Sequence, residues 1–138
     1  MVLDTAGYGT VEITRSLSIV FPPGVTRFVM APSDAQFGIK VQAGASDIVT
    51  LRGLIGEGTG STSTAIAFRA DNAVGASTRL VASRCAVSGA TDSVFLSSGT
   101  NAQVVADGCT VSSNAKVFKS LFTGQVFTRN NNTIFNNA

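Results

Sequence analysis

Apolar and polar residues alternate in short runs along the chain, and each run breaks at a polar pair. In "IVTLRGLIGEG", which begins at Ile48, the alternation stops at the Arg-Gly pair and then resumes. A period of two predicts a strand with one buried face, and the break predicts a bend into another strand. The pattern therefore predicts an all-β protein built from short strands that turn corners.

Five rows of this kind follow one another, which indicates an internal repeat. The rows are "TVEITRSLSIV" from Thr10, "IVTLRGLIGEG" from Ile48, "TRLVASRCAVSG" from Thr78, "AQVVADGCTVSS" from Ala102 and "QVFTRNNNTIFNN" from Gln125. A second apolar segment follows each of the first four rows: "FGIKVQA", "AIAFRA", "SVFLSS" and "KVFKSLF". Each repeat then holds about three short strands and cannot bury its apolar face without its neighbours.

Equivalent positions in the rows form columns that we predict to face inward. The columns are Val49, Leu80, Val104 and Phe127; Leu51, Ala82 and Ala106; Leu54, Cys85, Cys109 and Asn132; and Val87, Val111 and Ile134. Stacking the rows in parallel places equivalent residues about 4.8 Å apart. We predict a single domain over residues 1–138, a right-handed parallel β-helix of about five coils. Residues 22–37 are predicted to form a loop insertion and residues 125–138 the last coil.

Two other β folds fit the pattern less well. A left-handed β-helix uses hexapeptide repeats, whereas the two cysteines of the repeat lie 24 residues apart. A β-sandwich requires hairpin signals such as Asn-Gly between paired strands, and the chain contains no Asn-Gly.

The phrases "GYGTVEITRSLSIV", "ASDIVTLRGL" and "STAIAFRA" also carry a resemblance. They resemble bacterial β-helix repeat proteins of unassigned function in the pectate-lyase-like superfamily, over roughly residues 4–113. The chain looks like a short or truncated form of these proteins. The resemblance implies the coil rather than a reaction, because the shared motifs are structural. Lyases of the superfamily would imply an acidic calcium cluster and a basic residue that abstracts a proton.

Composition agrees with a strand-rich protein. Charged residues make up 13% of the chain and hydrophobic residues 44%, and that charged share is about half the usual one. The net charge of +2 and the scattered basic residues predict no nucleic-acid partner. No apolar run is long enough for a membrane span. The start "MVLDTAGYGTVEI" shows no signal peptide, so the chain as written is predicted to be cytoplasmic, although a trimmed mature segment would look the same.

Residue types for catalysis are sparse. The chain has no histidine, which excludes Ser-His-Asp and Cys-His sites and most zinc or haem sites. Its eight acids are not adjacent and share no column, whereas glycoside hydrolysis needs a facing carboxylate pair. Asp107 could pair with Arg84 or Arg129, and we interpret that set as a surface ion pair. We predict no catalytic, cofactor-binding or metal-binding residue and no cofactor; enzymatic activity is disfavoured but left open.

Cys85 and Cys109 are predicted to be free and buried. Side chains stacked in parallel point the same way, so their Cβ atoms stay about one strand spacing apart, beyond the usual separation in a disulfide. Such thiols pack as small apolar side chains.

The ends of the predicted solenoid lack a recognisable cap. Phe122, Phe127, Ile134 and Phe135 are predicted to lie at the exposed C-terminal end and to form a homo-oligomer interface. The favoured function is a non-catalytic structural module that associates with itself. One alternative is a protein that binds carbohydrate or acts on polysaccharide as a lyase or hydrolase. Another is a fragment of a longer β-helix.

Overall fold

A computed structural model describes residues 10–22, 27–30, 37–44, 46–58, 66–71 and 78–138. These residues contain fifteen strands and no helix. The strands are β1 (Val11–Ile13), β2 (Leu17–Val20), β3 (Arg27–Met30), β4 (Phe37–Val41), β5 (Ile48–Arg52), β6 (Ile55–Gly58), β7 (Ile66–Asp71), β8 (Arg79–Ser83), β9 (Ala86–Ser88), β10 (Ser93–Ser98), β11 (Gln103–Asp107), β12 (Thr110–Ser112), β13 (Phe118–Leu121), β14 (Gln125–Thr128) and β15 (Thr133–Phe135).

Each strand pairs in parallel with the strand three places further along the chain, and this pairing builds three sheets of five strands. Sheet A has the order β1-β4-β7-β10-β13, sheet B β2-β5-β8-β11-β14 and sheet C β3-β6-β9-β12-β15. One coil is a passage through sheets A, B and C, and four full turns lead from the first to the fifth strand of a sheet. The predicted parallel β-solenoid is confirmed. Its right-handed winding stays a prediction.

Strand register confirms most of the predicted columns and corrects one residue. Val104 pairs with Leu80 in one direction and with Val126 in the other, not with Phe127. Phe127 pairs instead with Val105. Phe127 precedes Asn132 by five residues, as Val104 precedes Cys109, but the last corner between sheets B and C contains one residue more than the corner before it. The extra residue shifts the column by one position, which places Phe127 on the opposite face of the strand.

The first coil also departs from the prediction. Its row spans sheets A and B, because β1 pairs with β4 and β2 pairs with β5, whereas the later rows span sheets B and C. The segment 22–37, predicted to be a loop insertion, contains β3, which pairs with β6 in sheet C. Residues 23–26 and 31–36 of that segment lie outside the described residues.

Phenylalanines fill the inward face of sheet A. Phe68, Phe95 and Phe118 occupy one register position on successive coils. The rings of Phe68 and Phe95 stack with centroids 5.4 Å apart, and those of Phe95 and Phe118 with centroids 5.7 Å apart. Aliphatic side chains fill the inward faces of the other two sheets, and Leu51 and Val104 are fully buried there. The result is one continuous core along the solenoid axis.

An asparagine ladder stabilises the corner between sheets C and A. The buried Asn114 accepts a hydrogen bond at Oδ1 from Ala90 N (2.8 Å) and donates from Nδ2 to Val87 O (3.3 Å) and Ser112 O (2.7 Å). Asn137 repeats this pattern one coil later, where its Oδ1 accepts from Asn114 N at 3.0 Å. The side-chain amides therefore satisfy backbone groups that leave the strand ladders where the chain turns.

Candidate functional site

The fifth coil exposes all four apolar side chains that the sequence predicts at an interface, and it exposes Leu121 in addition. Leu121, Phe122, Phe127, Ile134 and Phe135 are exposed, and Phe122 retains 87% of its accessible surface. Exposed apolar residues also occur in the first described coil, at Val11, Leu17 and Val20. Among the described residues, the exposed large apolar side chains therefore lie on the first and fifth coils, with Ile48 of the second coil as the exception.

Backbone groups are also left open at the fifth coil. Among the described strands, β13, β14 and β15 each pair on one side only, with β10, β11 and β12 respectively. The other edge of each strand presents N–H and C=O groups that a further strand could pair with. Three such edges lie side by side around the end of the solenoid.

The four predicted interface residues share the fifth coil but point in different directions. Ile134 pairs with the buried Val111, so it continues the inward column at the end of the core. Phe127 pairs with Val105, which is buried but alternates with the core residues Val104 and Ala106, and Phe135 pairs with the half-buried Ser112. Phe122 follows β13 with a φ of 58°. The sequence gave no signal for Leu121, an exposed member of the same coil.

Asp107 belongs to a surface ion pair, as interpreted from the sequence. Its Oδ2 lies 3.4 Å from Arg129 Nη1, and its Oδ1 accepts a hydrogen bond from Asn131 Nδ2 at 2.8 Å. The Arg129 side chain is 68% exposed, and an ion pair of this kind contributes little stability. Of the two arginines considered for Asp107, the structure pairs it with Arg129.

Other described acids contact bases or backbone rather than a second acid. On the outer face of sheet A, Arg69 Nε lies 2.7 Å from Asp71 Oδ1 and Lys119 Nζ lies 2.8 Å from Asp92 Oδ2. Asp47 accepts hydrogen bonds from the Ser16 hydroxyl and from Gly44 N, and these bonds lower the pKa of its carboxyl. The described residues include no cluster of three or more metal-ligating side chains.

The two cysteines are buried and free, as predicted. Cys109 Sγ contacts Ala82 O at 3.4 Å, and Asn132 Nδ2 donates to Ala106 O at 3.1 Å from the equivalent position one coil later. Hydrogen bonding to Cys109 and burial raise the pKa of the Cys85 thiol, so this thiol stays protonated at neutral pH. The Cys85 thiol packs in the core and donates hydrogen bonds to backbone carbonyl groups, and it is not suited to act as a nucleophile.

Thiol titration tests this assignment. With Ellman's reagent, we expect no reaction in the native protein over minutes and two thiols per chain in denaturant, because both sulfurs lie inside the core. A Cys85→Ala control should release one thiol on unfolding. Rapid labelling of the native protein would show that coils three and four open in solution, and it would contradict the burial of the two thiols.

The described residues contain no helix that is long and apolar enough to cross a membrane. No protein-family model, curated protein or solved structure matches the chain. Strand pairing alone therefore establishes the parallel β-solenoid.

Proposed function

We propose that this chain is a non-catalytic structural module that associates with a second copy of itself through its fifth coil. The supporting observation is the coincidence, on one coil, of three open strand edges and five exposed large apolar side chains. Open edges favour pairing with another chain, and clustered apolar surface favours burial against a partner.

A two-fold contact would limit the assembly to a dimer, because the same surface is used by both copies. Fully burying one phenylalanine or leucine side chain contributes about 1.5–3 kcal/mol. Association costs an estimated 4–15 kcal/mol in lost translational and rotational freedom. Several of the five side chains must therefore be buried together, and backbone pairing along β14 or β15 would add to them.

The alternative functions rest on other observations. The resemblance to the pectate-lyase-like superfamily supports a role in polysaccharide binding or cleavage in a bacterial protein. Against this role, the chain has one tyrosine and no tryptophan to serve as sugar platforms, and the acids in contact with Arg69, Lys119 and Arg129 are already paired. A piece of a longer β-helix would also leave these edges open, for a following coil to cover.

Light scattering coupled to size exclusion, over a range of protein concentrations, tests self-association. We expect a dimer that Phe135→Asp abolishes, because the substitution places a charge in the buried contact. Ile48→Asp is the matched control, since Ile48 and Phe135 are both 47% exposed but lie on different coils. The dimer should survive the control substitution.

A monomer at all concentrations would refute self-association. Equal loss of the dimer in both variants would show that the fifth coil is not the contact. Circular dichroism of each variant would exclude unfolding as the cause.

A further inference from the structure

A cavity of about 710 Å³ lies on the outside of the solenoid, at the corner between sheets B and C. It spans the first three coils. Its lining is mainly apolar, and two arginines, Arg52 and Arg84, contribute to it. The apolar lining residues are Val20, Phe21, Pro22, Ile55 and Ala86. A volume of this size falls in the range of small-molecule sites.

The connection between sheets B and C contains more residues in the first coil than in the second. Arg52 pairs with Val20, and Ile55 pairs with Arg27. Residues 53–54 separate β5 from β6, whereas residues 21–26 separate β2 from β3. Phe21 and Pro22 are the described residues of the longer connection, and both line the cavity.

The wall formed by Phe21 is fixed to the second coil. Phe21 N donates a hydrogen bond to Arg52 O at 2.9 Å. Gly53 has a φ of 80°, and a Cβ there would lie 2.6 Å from Phe21 O. Only glycine allows this approach, so the local sequence is suited to holding the wall in place.

Arg52 and Arg84 bring positive charge to the cavity without a described counter-charge. Arg52 pairs with Ser83, so Arg84 follows one residue later on the neighbouring coil. Within the described part of the chain, neither guanidinium makes an ion pair, in contrast to Arg69 and Arg129.

Both arginines also line a smaller cavity of about 200 Å³ beside the first one. Asp107 lines this smaller cavity, but its carboxylate is already engaged by Arg129 and Asn131. Two like charges on adjacent coils repel each other, and a bound anion would relieve that repulsion.

We propose that this corner binds a small organic acid, with its carboxylate at Arg52 and Arg84 and its apolar body against the apolar wall. A guanidinium presents paired N–H donors that match the two oxygens of a carboxylate. The apolar wall favours an acid that carries a hydrophobic group over a hydrated inorganic anion. The site lies in the first three coils and does not depend on self-association through the fifth.

Calorimetric titration with 2-naphthoate at low salt tests the proposal. We expect one site per chain, and binding weakened about tenfold by Arg52→Gln or Arg84→Gln, through loss of a charge-assisted hydrogen bond. Arg79→Gln is the matched control, because Arg79 is an exposed arginine of sheet B that does not line the cavity. It should leave binding unchanged.

A second variant tests the apolar part of the site. Ala86→Leu adds volume to the cavity wall while both arginines remain, and we expect it to reduce 2-naphthoate binding at least tenfold. Native circular dichroism would show that the variant is folded.

Several results would overturn the proposal. They are no binding, equal binding of the neutral 2-naphthamide, equal weakening by Arg79→Gln, or competition by inorganic phosphate at the same concentration as 2-naphthoate. The last result would indicate a non-selective anion site with no contribution from the apolar wall.

Discussion

Replacing Phe95 with alanine should lower the free energy of unfolding by about 3–5 kcal/mol, the range for a buried phenylalanine truncated to alanine. Phe95 has no exposed surface and stacks on Phe68 and Phe118 in the neighbouring coils. Its removal would leave a cavity in the middle of the stack and end both ring contacts. Because each coil packs only on its neighbours, the loss also weakens the connection between coils three and five.

Urea unfolding followed by circular dichroism measures this loss. Ile48→Ala is the matched control, since Ile48 is 47% exposed and lies outside the fifth coil. We expect the control to cost less than about 1 kcal/mol, because truncation at an exposed position creates little cavity. Equal midpoints for the two variants would contradict the assignment of the phenylalanine stack as a principal part of the core.

The repeat could be predicted wherever the corners have equal length. Cys85 and Cys109 lie 24 residues apart because coils three and four have similar corners, and inward positions must be apolar in every coil. Equal spacing does not hold at Phe127, because the corner that follows it contains an extra residue. Nor does it hold for the first row, where β1 belongs to sheet A. The alternation of apolar and polar residues predicts that strands exist, but the lengths of the corners determine which residues of neighbouring coils pair.

The sequence predicts the inward direction of Ile134, which pairs with the buried Val111, but it does not predict the direction of Phe127. The last row of the repeat predicts that Phe135 and Ile134 lie on the same coil. The direction of Phe127 is reversed instead, because the corner between Thr128 and Thr133 contains one residue more than the corner before it. The cavity at Arg52 and Arg84 could not be predicted, because its described lining comes from three coils whose register the first row does not reveal.

The spacing of the asparagines in the sequence indicates the asparagine ladder, whereas their number alone does not. Asn114 follows Cys109 by five residues, and Asn137 follows Asn132 by five residues. Asn132 and Cys109 occupy one column, so the two asparagines occupy another. Such a column of amides indicates side chains that bridge coils. The pattern is short, and it becomes visible only after the rows have been aligned.

Replacing Asn114 with alanine should lower the free energy of unfolding by at least about 2 kcal/mol, because each buried backbone group left without a partner costs about 1–3 kcal/mol. The substitution would leave Ala90 N without an acceptor and remove the donor to Val87 O and Ser112 O. Asn114 is 4% exposed, so water has little access to replace these bonds.

Amide hydrogen exchange would locate the effect. In Asn114→Ala, the Ala90 amide should exchange faster than in the parent protein by at least tenfold, while amides in sheet B change less. Asn137→Ala is the matched control, since Asn137 has the same role towards Asn114 N but lies on the more exposed fifth coil. It should accelerate exchange at Asn114 and leave Ala90 protected. Uniform acceleration at both amides in both variants would instead mean that the ladder acts on global stability, without a local role at each corner.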